Sequence, residues 1–122
     1  MPTFRRFEDI QAWQRARKVT VQIYKLSGLG VFSRDFDLRG QIRRSSNSIM
    51  ANIAEGQARR SDKDFANFLN IALGSTAETK SHLYLALDLG YLDQTLFDEL
   101  YEKLDEIGRM IFGLIEHLRT TV

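Results

Sequence analysis

The chain has 122 residues and a formal net charge of +1, with 43% hydrophobic and 27% charged residues. These values exclude a disordered or fibrous chain and predict one globular domain over residues 1–122. The absence of cysteine excludes disulfides, thiolate nucleophiles and cysteine-bound metal centres.

Glycines divide the chain into four predicted helices. Gly28 with Gly30, Gly56 and Gly90 each follow a run with helical apolar spacing. Glycine just past a helix end supplies the left-handed residue that closes it, so we expect helices to end at these positions. The only proline is Pro2, so no later residue is a strong helix breaker.

The first helix is predicted from about Glu8 to Leu26. The second begins between Ser33 and Asp37, both of which are good N-cap residue types, and ends at Gly56. The first helix carries a basic or neutral outer row at spacings of three and four. That row is Arg15, Lys18, Gln22 and Lys25.

The second helix has an unusual apolar stripe, because polar and small residues occupy positions that normally face a core. Asn52 and Ser45 lie on the stripe, so we expect them to need hydrogen-bond partners inside the protein or between subunits. Glu55 is predicted to be buried and paired with an arginine, with Arg43 or Arg44 as candidates. The second helix is thus expected to contact neighbours on more than one side.

The last two helices have the clearest limits. Ser61 is expected to cap the third helix, which reaches Gly90, and Asp93 to cap the fourth, which reaches about Arg119. The third helix has an unusually small middle around Gly74, which favours close helix contacts. Short connections then predict an all-α, antiparallel up-down-up-down four-helix bundle.

No motif of a known reaction is present. His82 follows Glu78 by one helical turn, but the spacing occurs once and differs from that of di-metal bundles, so a surface ion pair explains it better. Phosphate-binding loops and nucleophile elbows are absent from the sequence. We therefore expect no catalytic residues, metal or cofactor. We also expect that the protein is not an enzyme.

The charge is distributed unevenly. Residues 1–61 contain twelve Lys or Arg and five Asp or Glu, a net of +7, whereas residues 62–122 have a net of −6. This asymmetry favours either binding to a polyanion or pairing between the two halves. Arginine suits phosphate recognition, so candidate nucleic-acid contacts can be named. They are Arg39, Arg43, Arg44, Arg59 and Arg60, then Arg15 and Lys18.

Several motifs resemble a known family, the four-helix-bundle proteins named after 23S rRNA intervening sequences. The matching residues extend over nearly the whole chain, and the segment Asn52–Gly56 is the most specific. They are Phe7–Ile10, Trp13, Gln14, Ala16, Ser48, Ile49, Asn52–Gly56, Arg59, Ser61, Phe65, Phe68, Leu69, Ile71, Ala72, Gly74, Ser75, Glu78 and Leu89–Tyr91.

The resemblance implies a four-helix bundle that assembles as a homopentamer. The chain is also similar to accessory proteins of diversity-generating retroelements, which implies basic pentamers that engage a reverse transcriptase and nucleic acid. The segment 31–34 lacks the Phe-Pro common in the family, so we expect that loop to differ.

These observations predict a non-enzymatic, pentameric bundle whose arginine-rich face contacts RNA or DNA. Ser45, Asn52, Glu55 and Gly74 are expected at helix or subunit contacts. The alternative is an oligomerisation scaffold without a nucleic-acid role, in which the charges serve subunit pairing. Neither a signal-peptide pattern nor a membrane span of about 20 residues occurs, so we expect a cytoplasmic protein without membrane contact.

Overall fold

The structure, a computed structural model, describes residues 4–120 and contains four α-helices and no strand within that range. The helices are α1 (Gln11–Ser27), α2 (Phe36–Gln57), α3 (Asp62–Asp88) and α4 (Gln94–Thr120). Short 3-10 helices lie at Phe7–Asp9 and Gly30–Arg34. Each α-helix packs against the next along the chain, and α1 also packs against α4. The four-helix bundle predicted from the sequence is confirmed.

Side-chain caps define where three helices begin. The carboxylate of Asp35 accepts the Leu38 N–H at 3.1 Å, and that of Asp93 accepts the Leu96 N–H at 2.8 Å. The hydroxyl of Ser61 accepts the Asp64 N–H at 3.1 Å. Each bond satisfies a backbone donor that the first turn of a helix leaves unpaired. The predicted caps at Ser61 and Asp93 are therefore confirmed, and Asp35 lies within the range predicted for the start of α2.

The start of α1 differs from the prediction. Residues Phe7–Asp9 form a separate 3-10 turn, and the extended residue Ile10 interrupts the path to α1. Ile10 is buried, and the rings of Phe7 and Trp13 meet edge-on with centroids 4.9 Å apart. Burial of apolar side chains before the helix thus delays its first turn to Gln11.

The glycine at the end of α3 acts as predicted, but the glycine near the end of α2 does not. Gly90 has φ of 76° and follows α3, where the Tyr91 N–H bonds to the Ala86 carbonyl. Gly56 instead lies inside α2, and a β-carbon there would sit 2.8 Å from Cβ of Phe68. Its role is to let α2 and α3 approach closely. The helix ends one residue later, at Gln57, so the predicted end is close, but Gly56 is not the left-handed residue that closes α2.

The core is formed by apolar stripes of helical period. In α3 the positions from Phe65 to Ala86 that recur at spacings of four and three residues are all buried. In α4, Ile115 is buried whereas Leu114 is only partly so. Phe112, on the other side of α4, is 55% exposed.

Hydroxyl groups join α2 to α3 within the core. Thr79 Oγ1 donates to Ser45 Oγ at 2.9 Å, and Ser75 Oγ to Ser48 Oγ at 2.9 Å. The half-buried Asn52 donates to the carbonyl and hydroxyl of Ser48 in its own helix. The predicted requirement for partners at Ser45 and Asn52 is therefore met within one chain.

Candidate nucleic-acid interface

The arginines predicted to bind nucleic acid lie at both ends of the bundle. Arg39 lies in the first turn of α2, and Arg59 lies two residues beyond its end, so twenty residues separate them. At 1.5 Å per residue this separation is about 30 Å. One compact contact cannot use both, so each end has to be considered separately.

Five cations lie close to the connection between α1 and α2, at one end of the bundle. We call this cluster the basic end, and it comprises Lys25, Arg34, Arg39, Arg43 and Arg44. The same stretch of chain, residues 24–44, contains only two carboxylates, Asp35 and Asp37. Among the described residues, none of the five cations forms a salt bridge.

Both carboxylates of this stretch have other partners. Asp35 accepts the Leu38 N–H and the hydroxyl of Tyr91, the latter at 2.8 Å. These two bonds, the backbone bond first, hold the pKa of Asp35 below its usual range, and Asp35 raises the pKa of the Tyr91 phenol. Asp37 accepts from the Gln41 amide at 3.0 Å. Their hydrogen-bonding capacity is thus directed away from the arginines.

Arg43 fastens α2 to the carboxyl end of α1. Its Nε donates to Ser27 Oγ at 2.8 Å, and its Nη2 donates to the Tyr24 carbonyl at 3.0 Å. A cation at this position also complements the negative end of the helix dipole. Arg43 therefore has a structural role that its spacing on α2 alone could not reveal.

Arg39 and Arg44 occupy two further positions at the basic end. Arg39 Nη1 donates to the Ser33 carbonyl at 2.7 Å, and its guanidinium lies 4.8 Å from the ring centre of Phe36. Arg44 is exposed and lies over Gly40, where a β-carbon would approach its Nη1 to 3.0 Å. Arginine has five N–H donors, so both side chains retain donors for a phosphate.

At the opposite end, Arg59 is already paired. Its Nη2 contacts Glu55 Oε1 at 2.9 Å, and its guanidinium lies 4.6 Å from the ring centre of Phe68. Glu55 is exposed, so the prediction of a buried carboxylate was wrong, and its partner is Arg59 rather than Arg43 or Arg44. Glu55 lies on the side of α2 that faces solvent, where a residue four positions later in sequence can reach it. Arg60 is exposed beside this pair.

The predicted residues of α1 line a groove against α4. Arg15 forms a salt bridge with Glu106, and Lys103 donates to the Gln22 side chain at 3.0 Å. The groove has a volume of about 490 Å³, and Lys18 lies on its wall. The pairing of Arg15 with an acidic residue of the second half supports the charge-pairing explanation at this position.

Gly74 lies on the exposed surface of α3, with nothing within 4 Å of a β-carbon placed there. Ile71 and Leu85 lie on the same outer side and are 51% and 48% exposed. Within one chain, therefore, nothing requires a small residue at Gly74. Gly56, which was not among the predicted contact residues, meets that requirement between α2 and α3.

The described residues present little that could carry a reaction. His82 Nε2 lies 3.3 Å from Glu78 in the helical pair expected from the sequence. Residues 4–120 contain no group of three His, Cys, Asp or Glu side chains placed to hold a metal ion. None of the helices in that range is long and apolar enough to cross a membrane.

Two aromatic residues beside the basic end were not predicted as site residues from the sequence. Tyr24 and Phe36 are exposed, and each lies beneath an arginine. The spacing of Phe36 and Arg39, one helical turn apart, was a visible signal of the first pair. The second pair joins two helices, and no local pattern marks it.

The fold and this surface together define a class: an antiparallel four-helix bundle with a cluster of cations beside the α1–α2 connection and no recognisable reaction centre among its described residues. The sequence profile described as 23S rRNA-intervening sequence protein matches residues 8–113. The chain belongs to this family, as its motifs indicated.

A crystal structure supports the assignment. The chain is similar to a protein of unknown function from the S23 ribosomal protein family of Bacteroides thetaiotaomicron, with 29% sequence identity and a TM-score of 0.81. The match covers 87% of this chain and 96% of the other. A comparison with curated proteins gave no match.

Proposed function

We propose that this protein is a non-enzymatic homo-oligomer, a pentamer as the family resemblance implies, that binds RNA or DNA through its basic end. The observation that supports this function is the group of five cations without a salt-bridge partner among residues 4–120. The family description, which refers to 23S rRNA, favours a role close to RNA. We propose the cytoplasm, where ribosomal RNA is found, as its compartment.

The charges of the basic end fit phosphate better than they fit another part of the same chain. Asp35 and Asp37 bond to Tyr91, Leu38 and Gln41, and within the described residues neither forms a salt bridge with an arginine. Phosphate contacts contribute affinity without reading sequence, and they release counterions. Binding of this kind should therefore be strongest at low salt and should tolerate many sequences.

The test is a gel-shift titration with the full chain at about 50 mM salt, repeated at higher salt to obtain the slope of log K against log salt. The double variant Arg34→Gln/Arg44→Gln removes two cations that have no salt bridge within the described residues. We expect its salt slope to fall by about one to two units, because one unit is lost for each phosphate contact.

The matched control is Lys63→Gln/Arg119→Gln, which removes the same charge at the opposite end of the bundle. It should retain most of the wild-type slope. Equal losses in both double variants would show that net charge, rather than the basic end, attracts the ligand. No retardation by the wild type at about 50 mM salt would disprove nucleic-acid binding.

The second candidate is an oligomerisation scaffold without a nucleic-acid role. The exposed apolar side chains of α3, including Ile71 and Leu85, favour it because a second copy packed against this helix would bury them. The resemblance to retroelement accessory proteins adds a reverse transcriptase as a predicted protein partner. An oligomer that retards no nucleic acid would support the scaffold.

A further inference from the structure

A row of two guanidinium groups between two aromatic rings crosses the basic end. Along α2, Phe36, Arg39 and Arg43 are spaced by three and four residues, which places them on one helix face. The Arg39 guanidinium lies over the Phe36 ring, and that of Arg43 lies 4.8 Å from the ring centre of Tyr24 on α1. We call these four residues the ring–arginine row.

The rings are accessible in spite of these contacts. Phe36 is 70% exposed and Tyr24 is 41% exposed. Phe36 occupies the first position of α2 and lies outside the buried core. An aromatic side chain left in water forgoes the stabilisation that burial would give it. The Phe36 ring beside the arginines is therefore available to a partner that can cover it.

We propose that the ring–arginine row binds unpaired nucleotides, with bases stacked on Tyr24 and Phe36 and phosphates contacted by Arg39 and its cationic neighbours. This inference rests on the proposed function and specifies the class of nucleic acid. Single-strand-binding surfaces combine a positive groove with aromatic side chains, because every base has a face that can stack. The basic end provides the positive charge and two exposed rings.

A duplex would use only part of this surface. Its bases are stacked on one another and present edges in the grooves, so exposed rings have no base face to cover. Its phosphates could still reach Arg34, Arg39 and Arg44. The structure therefore assigns the electrostatic part of binding to both forms and the stacking part to single strands.

An acidic peptide is the competing occupant of a positive surface. It would satisfy the arginines, but its carboxylates offer nothing to stack on the two rings. The ring–arginine row thus favours nucleic acid over an acidic peptide. A binding affinity that depends on the presence of bases distinguishes the two.

The experiment measures fluorescence anisotropy of the full-length protein with labelled single-stranded RNA, single-stranded DNA, the matching duplex and a single strand with abasic sites. The variant Tyr24→Leu/Phe36→Leu removes both rings while retaining every charge. We expect it to bind single strands at least about fivefold more weakly, since each stacked base contributes about that factor or more. Duplex binding should change less than twofold.

Two further variants control for other effects of the substitutions. Phe112→Leu removes a ring of similar exposure on α4, away from the ring–arginine row, and should bind like the wild type. Tyr24→Phe retains the stacking face and should also bind like the wild type. The abasic strand should bind the wild type as weakly as the normal strand binds the leucine variant.

The outcomes separate this inference from the function on which it rests. Equal affinity of wild type and leucine variant for single strands, with measurable binding to all probes, would overturn stacking while retaining nucleic-acid binding. Absence of binding to every probe would overturn both. A preference for RNA over DNA, or the reverse, with loss in the leucine variant, supports the inference and identifies the natural source.

Discussion

At the scale of single residues, the hydrogen bond between Asp35 and Tyr91 joins the α3–α4 connection to the segment before α2. The strength of this bond depends on the protonation of both groups. The phenol donates to the carboxylate at 2.8 Å, and the Tyr91 ring stacks on Phe32 with centroids 5.0 Å apart. The connection between α3 and α4 thereby contacts the segment that precedes α2. The pair positions the first turn of α2, where the ring–arginine row begins.

The signs of the two pKa shifts give the pH range in which this pair stabilises the fold. The pKa of Asp35 is lowered, so its contribution is present above its usual value of 3.8 and is lost as pH falls through the lowered value. The pKa of Tyr91 is raised, so its contribution is present below pH 10.0 and is lost as pH rises through the raised value. The pair therefore favours the folded chain throughout the neutral range.

Substitution Tyr91→Phe should raise the pKa of Asp35 toward its usual value without fully restoring it. The Leu38 N–H remains, and it is the larger cause of the shift. An NMR titration of the Asp35 carboxyl carbon measures the change, with Tyr24→Phe as a control that leaves this carboxylate untouched. An unchanged Asp35 pKa in Tyr91→Phe would show that the phenol does not stabilise the charged form.

At the scale of elements, the contact between α2 and α3 depends on the absence of a side chain. A β-carbon at Gly56 would lie 2.8 Å from Cβ of Phe68 and 3.0 Å from Cδ1 of Phe65. Because Cβ of Phe68 is fixed to its backbone, α3 would have to move. The hydroxyl pairs Ser45–Thr79 and Ser48–Ser75 lie along the same interface and need the same short separation.

We expect Gly56→Ala to lower the free energy of unfolding by about 1–3 kcal/mol, the usual cost of overpacking a core contact. Gly113→Ala is the matched control, because it lies in α4 with nothing within 4 Å of an added β-carbon. It should raise the free energy of unfolding by about 0.5–1 kcal/mol through helix propensity. Urea denaturation of both variants measures the contrast, and stabilisation of both would contradict close packing at Gly56.

Much of this fold was accessible from the sequence because its signals are local. Ser61 and Asp93 cap helices through bonds to residues three positions later, and the stripe of α3 follows a fixed spacing. Gly56 misled because a glycine after an apolar run looks the same whether it ends a helix or admits a neighbour. Glu55 misled because the rotation of α2 against α3 decides which residues face inward.

The candidate site was less accessible, because its contacts join parts of the chain that no spacing connects. Arg43 was predicted as a phosphate contact from its residue type, but its bonds to Tyr24 and Ser27 depend on how α1 lies against α2. The predicted arginines also fall at two ends of one helix. Their separation follows directly from the helical rise. The single arginine-rich face that we expected is therefore two separate groups of arginines.

At the scale of the whole molecule, the exposed side of α3 and the basic end lie on surfaces that one chain leaves open. Ile71 and Leu85 are about half exposed although both are large and apolar. Gly74 lies one helical turn from Ile71, and nothing lies within 4 Å of a β-carbon placed there. A second copy of the chain, packed against α3, would account for all three observations.

We expect light scattering on the wild type to give five times the 14.1 kDa mass of the chain. Ile71→Glu/Leu85→Glu should shift that mass toward one chain, because charge would be buried in the contact, while the helical circular dichroism persists. Val21→Glu, at a similarly exposed apolar residue of α1, is the control and should retain the assembly. A wild-type monomer at micromolar concentration would refute the homo-oligomer.

The order in which the helices pack also affects how the chain reaches its native state. Each α-helix contacts its neighbour along the chain, and the contact between α1 and α4 joins the two α-helices that are farthest apart in sequence. Bundles dominated by such local contacts fold in microseconds to milliseconds. The only proline precedes all four helices, so no prolyl isomerisation within the bundle would delay folding. The packing of α1 against α4 is the step that must bring the first and last helices together. A groove lined mainly by polar side chains lies between these two helices.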